Sequence, residues 1–335
     1  MFDFINLQLF AEVQTTLLGT ANSNPSEWGG TGLSAEMKTF YDMTLIDEAT
    51  ANLVHDQFGQ KRPIPKNGGK TIEFRKFAPL AKATTPLTEG VTPAGKALSV
   101  STIEATVSQY GDYITQSDVL ELTSLDNTIL EATKLLGRQA GLTLDTVVRD
   151  IINSGTNVQY AGEFIYDRDG LETAGDASLT VKIIQKVVAK LRAQNAPTIN
   201  GKYVAIIHPY VAYTLMRDPE WIDAHKYANP TNLYEGEIGE VAGVRFVQTS
   251  EAATFKTVSG NTVYSTLVLG DGAYGVTEIT GGGLQTIVKQ KGSAGTADPL
   301  DQRSSVGWKA IKTAEILIQE YMCRIESLAP DFDVN

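Results

Sequence analysis

The sequence predicts an α+β fold, on three observations. Residues 70–77 and 98–110 alternate apolar and polar side chains, as half-buried strands do. Residues 126–153 carry an apolar stripe at helical spacing over about 28 residues, roughly 40 Å at 1.5 Å per residue. A further long alternating run, Lys309 to Ile325, lies near the other end of the chain.

Taken in order, residues 1–34 read as a loosely structured arm, because Asn, Ser, Gly and Thr crowd TANSNPSEWGGTG. Leu33 to Phe58 reads as a helix. Ser34 caps it, Met37, Phe40, Tyr41, Leu45, Ala49 and Leu53 form its stripe, and it ends near Gly59 before Pro63. In the first strand Ile72 and Phe74 point one way, Glu73 and Arg75 the other. In the second the apolar phase slips between Val100 and Ile103, which predicts a β-bulge near Ser101–Thr102. Between them lie about 20 residues with three prolines and no pattern, a length that compact domains rarely leave unstructured without a use for it. A two-stranded hairpin is also marginal alone in water. Both difficulties vanish if the hairpin projects and rests on another molecule.

The long helix is capped by Ser124 or Asp126. Ile129, Leu136, Ala140, Leu144, Val147 and Ile151 line it, widened by Leu130, Leu135, Val148 and Ile152. Gly137 and Gly141 weaken it or permit close packing, and Asp145 and Arg149 have the spacing of an i, i+4 ion pair. The second half is mixed. It reads as a helix over Leu179–Ala193, a buried strand over Tyr203–Ile207, and a helix after His208-Pro209 through Tyr213 and Met216. Strands follow over Val244–Thr249 and Thr262–Leu269, and the long strand Lys309–Ile325 ends the pattern. The Gly-rich stretch 281–307 reads as loop. No internal repeat is evident.

Composition narrows the function. The 335 residues are 42% hydrophobic and 20% charged, enough for a sizeable core and two subdomains. No run of 18 apolar residues is present to cross a membrane, and MFDFINLQLFAE lacks the basic start of a secretory signal. One cysteine, Cys323, excludes an intrachain disulfide framework and cysteine-rich zinc sites, and three histidines (His55, His208, His225) leave little for catalysis. The net charge of -11 argues against a nucleic-acid-reading surface. Charge is unevenly spread. Residues 60–82 hold seven basic side chains and the single acid Glu73, leaving 21 basic and 38 acidic elsewhere. A basic arm base on an acidic body suits self-association, with charge steering more than binding.

No motif carries catalysis, a cofactor or a metal. Gly270-Asp271-Gly272-Ala273-Tyr274-Gly275 fits GxGxxG, but VTEITGGG follows where a phosphate-binding helix would have to start, so it reads as a turn between strands. Gly68-Gly69-Lys70-Thr71 lacks the first glycine of a phosphate loop, Ile64 standing there. His225 has no second ligand at metal spacing, and His208 reads as a strand end. Cys323 sits in an apolar strand as an inert thiol. Asp167, Asp169 and Gly170 lack the glutamate that would complete a calcium loop.

The order of arm, helix, long hairpin, long helix, α/β half and final long strand resembles the major capsid proteins of tailed bacteriophages, a fold shared with herpesvirus coats and encapsulins. The similarity is sharpest to a subfamily whose hairpin carries Pro86-Leu87-Thr88-Glu89-Gly90-Val91-Thr92-Pro93. Its return strand reads like Gln109-Tyr110-Gly111-Asp112-Tyr113, then Ser117-Asp118. Leu136-Gly137, Leu144-Asp145, Gly236-Glu237-Ile238-Gly239 and Gly243-Val244-Arg245-Phe246-Val247 extend the match.

The resemblance implies an N-terminal arm (1–34), an N-terminal helix (35–59) and an extended loop (60–110). It implies a peripheral domain (111–199 and 301–335) holding a spine helix (126–153), and an axial domain (200–300). It implies a structural protein, not an enzyme, whose copies form pentamers and hexamers of an icosahedral head around double-stranded DNA bound without sequence preference. A separate scaffolding protein and a portal are the expected partners, and no membrane is involved. The protein would be made and assembled in the host cytoplasm and reside in the virion. The contacts expected between subunits are Lys70, Arg75, Lys76, Lys82, Pro86, Glu89 and Pro93 of the extended loop. Lys82 and Lys96 have no recognisable asparagine partner or acid, so covalent crosslinking is not expected. An encapsulin-like cargo shell is the alternative, and a cytosolic α/β enzyme lacks a convergent catalytic set.

Overall fold

A computed structural model describes residues 43–49, 53–77, 80–87, 89–92, 95–123, 128–162, 164–173, 176–226, 239–293 and 298–332. Outside them lie the arm 1–34, Ser34, Met37, Phe40 and Tyr41, the cap candidates Ser124 and Asp126, Pro93, Gly236-Glu237-Ile238 and the His225 side chain. The helices are α1 (43–49), α2 (Asp118–Thr123), α3 (Thr128–Asn153), α4 (Val181–Ala193), α5 (Pro209–Met216) and α6 (Pro219–Lys226). The strands are β1 (Gln60–Lys61), β2 (Thr71–Phe77), β3 (Val100–Thr106), β4 (Ser108–Ser117), β5 (Val158–Tyr160), β6 (Tyr203–Ile207), β7 (Glu240–Val241) and β8 (Val244–Gln248). After them come β9 (Thr254–Lys256), β10 (Thr262–Leu269), β11 (Tyr274–Glu278), β12 (Gln285–Lys289), β13 (Arg303–Ile316) and β14 (Met322–Ser327). The α+β expectation holds.

The chain divides into two compact units, and α3 and β13 run from one into the other. The first comprises residues 1–53, 109–143 and 282–311. In it β13 pairs with β4 and, antiparallel, with β12 from Gln285↔Lys309 to Lys289↔Ser305. Helix α1 crosses α3 at Gly137, where any Cβ would stand 2.9 Å from the Leu45 carbonyl oxygen. The glycine therefore serves close packing, and Leu45, Leu136 and Ala140 are buried around it. Arg138 donates to Glu48 beside the crossing (3.0 Å). The Gln139 amide ties α3 to the sheet, donating to Asp112 (2.6 Å) and accepting from Trp308 Nε1 (3.3 Å).

The second unit comprises residues 54–108, 144–281 and 312–335. Its sheet runs β5-β14-β10-β6-β8-β7, with β9 also on β10. β6 and β10 are buried almost throughout because both sheet faces are covered. Tyr203, Ala205 and Ile207 join the stripe of α4 (Val181, Ile184, Val187, Val188, Leu191) and Val211, Ala212 and Leu215 of α5. Ile206 points the other way, to Val148 and Ile152 of α3, Tyr274 and Val276. Period two in the strands meets period 3.6 in the helices, so the unit closes on its own core. His208 caps α5, its Nδ1 accepting from the Tyr210 N–H, with Pro209 in the first turn.

Several expectations change. The first helix does not reach Phe58. Residues 55–58 form turns, because the Val54 and His55 amides donate to the Asp145 carboxylate (2.9 and 2.7 Å) in place of helix carbonyls. Asp145 is thereby spent and does not pair with Arg149, which reaches Asp150 and Glu251. Leu135 is exposed. No bulge interrupts β2–β3, whose register is continuous from Thr71↔Thr106 to Phe77↔Val100. Val100 simply shares the outer face with Phe77. The run 98–110 is two strands that break at Val107, whose amide still donates to Lys70 (2.9 Å). The run Lys309–Ile325 is also two strands in different sheets. Leu317 and Ile318 both donate to the Ala273 carbonyl, and that turns the chain between β13 and β14. Within 281–307, Gln285–Lys289 is a strand and Arg303 begins another.

Candidate assembly surfaces

The extended hairpin is built on β1 and β11. β1 lies parallel to β11, Ile64 continues the pairing by donating to Glu278 (2.7 Å), and Thr280 donates back to Ile64 (2.8 Å). β2 and β3 then leave as a two-stranded antiparallel sheet. One face of its base is anchored, Phe74, Ala105 and Val107 being 3%, 1% and 6% exposed. Phe74 packs against Gly275, where a Cβ would come within 2.8 Å of the ring. Burying one such aromatic side chain contributes about 1.5–3 kcal/mol.

Beyond Phe77 the anchoring stops. Phe77, Leu80, Leu87, Val91, Leu98 and Val100 all stand in solvent, Leu87 at 77% exposure. No strand forms among the described residues between β2 and β3, and the limbs are tied by Lys96, which donates to the Ala81 carbonyl (3.0 Å). Among the described residues nothing covers these six large apolar side chains on one projection, which is the surface pattern of an interaction site.

The loop residues expected at subunit contacts separate into two groups. Lys70, Arg75, Lys82, Pro86 and Glu89 are exposed. Lys76 is half-buried and reaches Glu320 of its own chain at 3.7 Å. Lys61, at the root, pairs with Asp56 (3.1 Å), as Lys312 does (2.9 Å). Burial alone would raise the Asp56 carboxyl, but the two lysines overcome it and hold the group below its ordinary range.

Sequence reasoning missed the polar knot beneath the root. His55 is fully buried and its Nδ1 lies 2.6 Å from Asp145 Oδ2, while the Tyr274 hydroxyl donates to the His55 carbonyl. Ninety residues separate His55 from Asp145, and no local pattern joins them. Elsewhere Arg168 makes a bidentate bond to the buried Glu326 (2.7 and 2.9 Å). Burial pushes the Cys323 thiol up to about 11, as suits an unreactive core side chain. Asp167 accepts from the Gly170 amide in a turn, and Gly272 (φ 68°) turns the chain from β10 into β11, so neither motif forms a ligand loop. Among the described residues no group of three or more His, Cys, Asp or Glu could hold a metal, and no helix is long and apolar enough to cross a membrane.

The fold is shared with solved phage capsids. The capsid of the cyanophage P-SCSP1u superposes with a TM-score of 0.63 at 14% identity, covering 82% of this chain and 87% of that one. The capsid of Ralstonia phage GP4 gives 0.62 at 14% identity, covering 84% and 90%. The acid-stable capsid of Helicobacter pylori bacteriophage KHP30 gives 0.56 at 10% identity, covering 98% and 99%. No curated protein matches the sequence. The family described as phage capsid protein matches residues 100–322, from β3 to the start of β14. That match spans about two thirds of the sequence, and the chain, a self-associating structural protein of the phage head, belongs to the phage capsid protein family.

Proposed function

We propose that copies of this major capsid protein form pentamers and hexamers of an icosahedral head, each copy laying its extended loop on a neighbour. The observation that carries the reading is the contrast within one hairpin, with Phe74 buried at the base and Leu80, Leu87, Val91 and Leu98 exposed toward the tip. Covering those four removes their apolar surface from water, and Pro86 and Pro93 limit the entropy lost on docking. Lys70, Arg75, Lys82 and Glu89 orient the encounter, and Lys76 acts partly through its own Glu320.

The finer organisation belongs to the same proposal. The spine helix with β4 and β13 forms a peripheral part, and residues 200–300 form an axial part around the capsomer centre. The core that α4 and β14 share with β6 and β10 supports drawing residues 181–193 and 322–327 into the axial part. The head encloses double-stranded DNA. A net charge of -11 suits an inner wall that does not hold DNA tightly. Assembly takes place in the host cytoplasm with a separate scaffolding protein and a portal.

Deletion of Thr85–Gly95, followed by electron microscopy of the purified protein, tests the proposal. The expected result is a folded subunit that no longer forms shells. Shells of normal yield and stability would refute the role of the arm.

A further inference from the structure

The second unit carries an open groove of about 920 Å³ whose floor is a sheet edge. Among the described residues β5 pairs with no strand but β14. Asn157 and Ala161 bond to β14, so by alternation Gln159 does too, and Val158 and Tyr160 turn their amides to the unpaired edge, the Tyr160 carbonyl accepting from the Gln159 side chain (3.0 Å). One wall is the start of α4, with Lys182, Ile183 and Lys186. The other is the turn after β5, where Phe164 and Tyr166 are 86% and 82% exposed. Phe164 adopts φ 61°, a left-handed conformation that a bulky side chain rarely takes. A sheet edge beside a helix, with aromatic side chains at the rim, is the geometry in which an extended peptide adds as a further strand.

The chain supplies a segment of matching chemistry. Leu7-Gln8-Leu9-Phe10-Ala11-Glu12-Val13 alternates with period two except at Phe10, placing Leu7, Leu9, Ala11 and Val13 on one side and Gln8, Phe10 and Glu12 on the other. Residues 1–37 contain the acids Asp3, Glu12, Glu27 and Glu36 and no Lys or Arg. The groove offers the lysines of α4, with Asp176 as its only acid. Resting on the self-association proposed above, we infer that residues 7–13 of a neighbouring copy add as a strand to the free edge of β5, with Glu12 toward the α4 lysines and apolar side chains against Phe164 and Tyr166.

Shells assembled from equal amounts of light and isotope-heavy protein test this. A carbodiimide, which joins a carboxylate to a lysine without a spacer, should link Glu12 to Lys182 or Lys186 as mixed light–heavy peptides. Hydrogen exchange at Val158 and Tyr160 should be at least about tenfold slower in shells than in isolated subunits. Replacing Gln8 by Pro, which removes a strand amide, should abolish that protection, as should K182E with K186E. Crosslinks only within one chain, crosslinks from Glu89 in place of Glu12, or equal exchange in both states would overturn the inference. Absence of particles in the microscope would instead refute the shell proposal itself.

Discussion

The sheet built on β6 and β10 and the hairpin β2–β3 with its tip both carry large apolar side chains, yet these end in opposite states. Tyr203–Ile207 is buried on both faces within its own unit. The hairpin buries one face at its base and leaves Phe77, Leu80, Leu87 and Val91 to solvent. The difference lies in what the chain places opposite each. α4 and α5 cover one side of the sheet and α3 the other, whereas among the described residues the hairpin's apolar side chains are received at Gly275 of β11 as far as Phe74, with Lys76 reaching Glu320 just beyond. Stability is thus concentrated where the chain closes on itself, and association where it does not. Substitutions in the closed parts should cost folding free energy, and those in the open part should cost shells.

The largest expected effect is at the junction of the two. Phe74→Ala empties the contact over Gly275 and should lower subunit stability by about 3–5 kcal/mol in urea denaturation. A loss under about 1 kcal/mol would mean that the hairpin is not anchored on its own subunit. Next comes the knot at the root. Asp145→Ala strands the Val54 and His55 amides and the His55 ring, all buried or nearly so, for about 3 kcal/mol. Gly137→Leu forces a side chain onto the Leu45 carbonyl and should cost about 1–3 kcal/mol in the closed first unit, with assembly lost only as folding is lost.

How much of this was legible depends on where the deciding partner sits. The inward Ile72 and Phe74 and the stripe of α4 could be read because alternation and helical period are local. The turn at residues 317–321 could not, since its cause is the Ala273 carbonyl more than forty residues earlier, and alternation continues across the break. β12 is hidden among glycines, and its burial alternates only because it pairs with β13. In the hairpin the basic and proline-rich stretch was legible as an arm. That Lys76 would be engaged by Glu320 was not, because 244 positions separate them. The groove at β5 left no signal either, since a free sheet edge exists only once the sheet is assembled.

A subtler probe of the closed side is acidity. The Asp56 carboxyl titrates below its ordinary value of 3.8 in the folded protein, its lysine partners outweighing the cost of burial. A group depressed by folding stabilises at pH above its unfolded value, and that contribution is lost as pH falls toward the folded one. Isolated subunits should therefore lose stability from about pH 5 to about pH 3, and Asp56→Asn should flatten that part of the profile. An unchanged slope in the variant would show that Asp56 does not carry this dependence.

The smallest effect on folding is expected at the tip, and it gives the sharpest test of the comparison. Leu87 is 77% exposed, so its loss should leave the isolated subunit little changed. Leu87→Ser should leave the denaturation midpoint of the isolated subunit within about 0.5 kcal/mol of wild type, as surface substitutions do. In the assembled head the same side chain, if covered, is worth about 1.5–3 kcal/mol per copy, repeated at every copy of the shell. The critical concentration for assembly, read by light scattering against subunit concentration, should accordingly rise about tenfold or more, since 1.4 kcal/mol is a factor of ten. An unchanged critical concentration would mean that the tip stays wet in the shell. A lowered subunit stability would mean that it rests on its own chain.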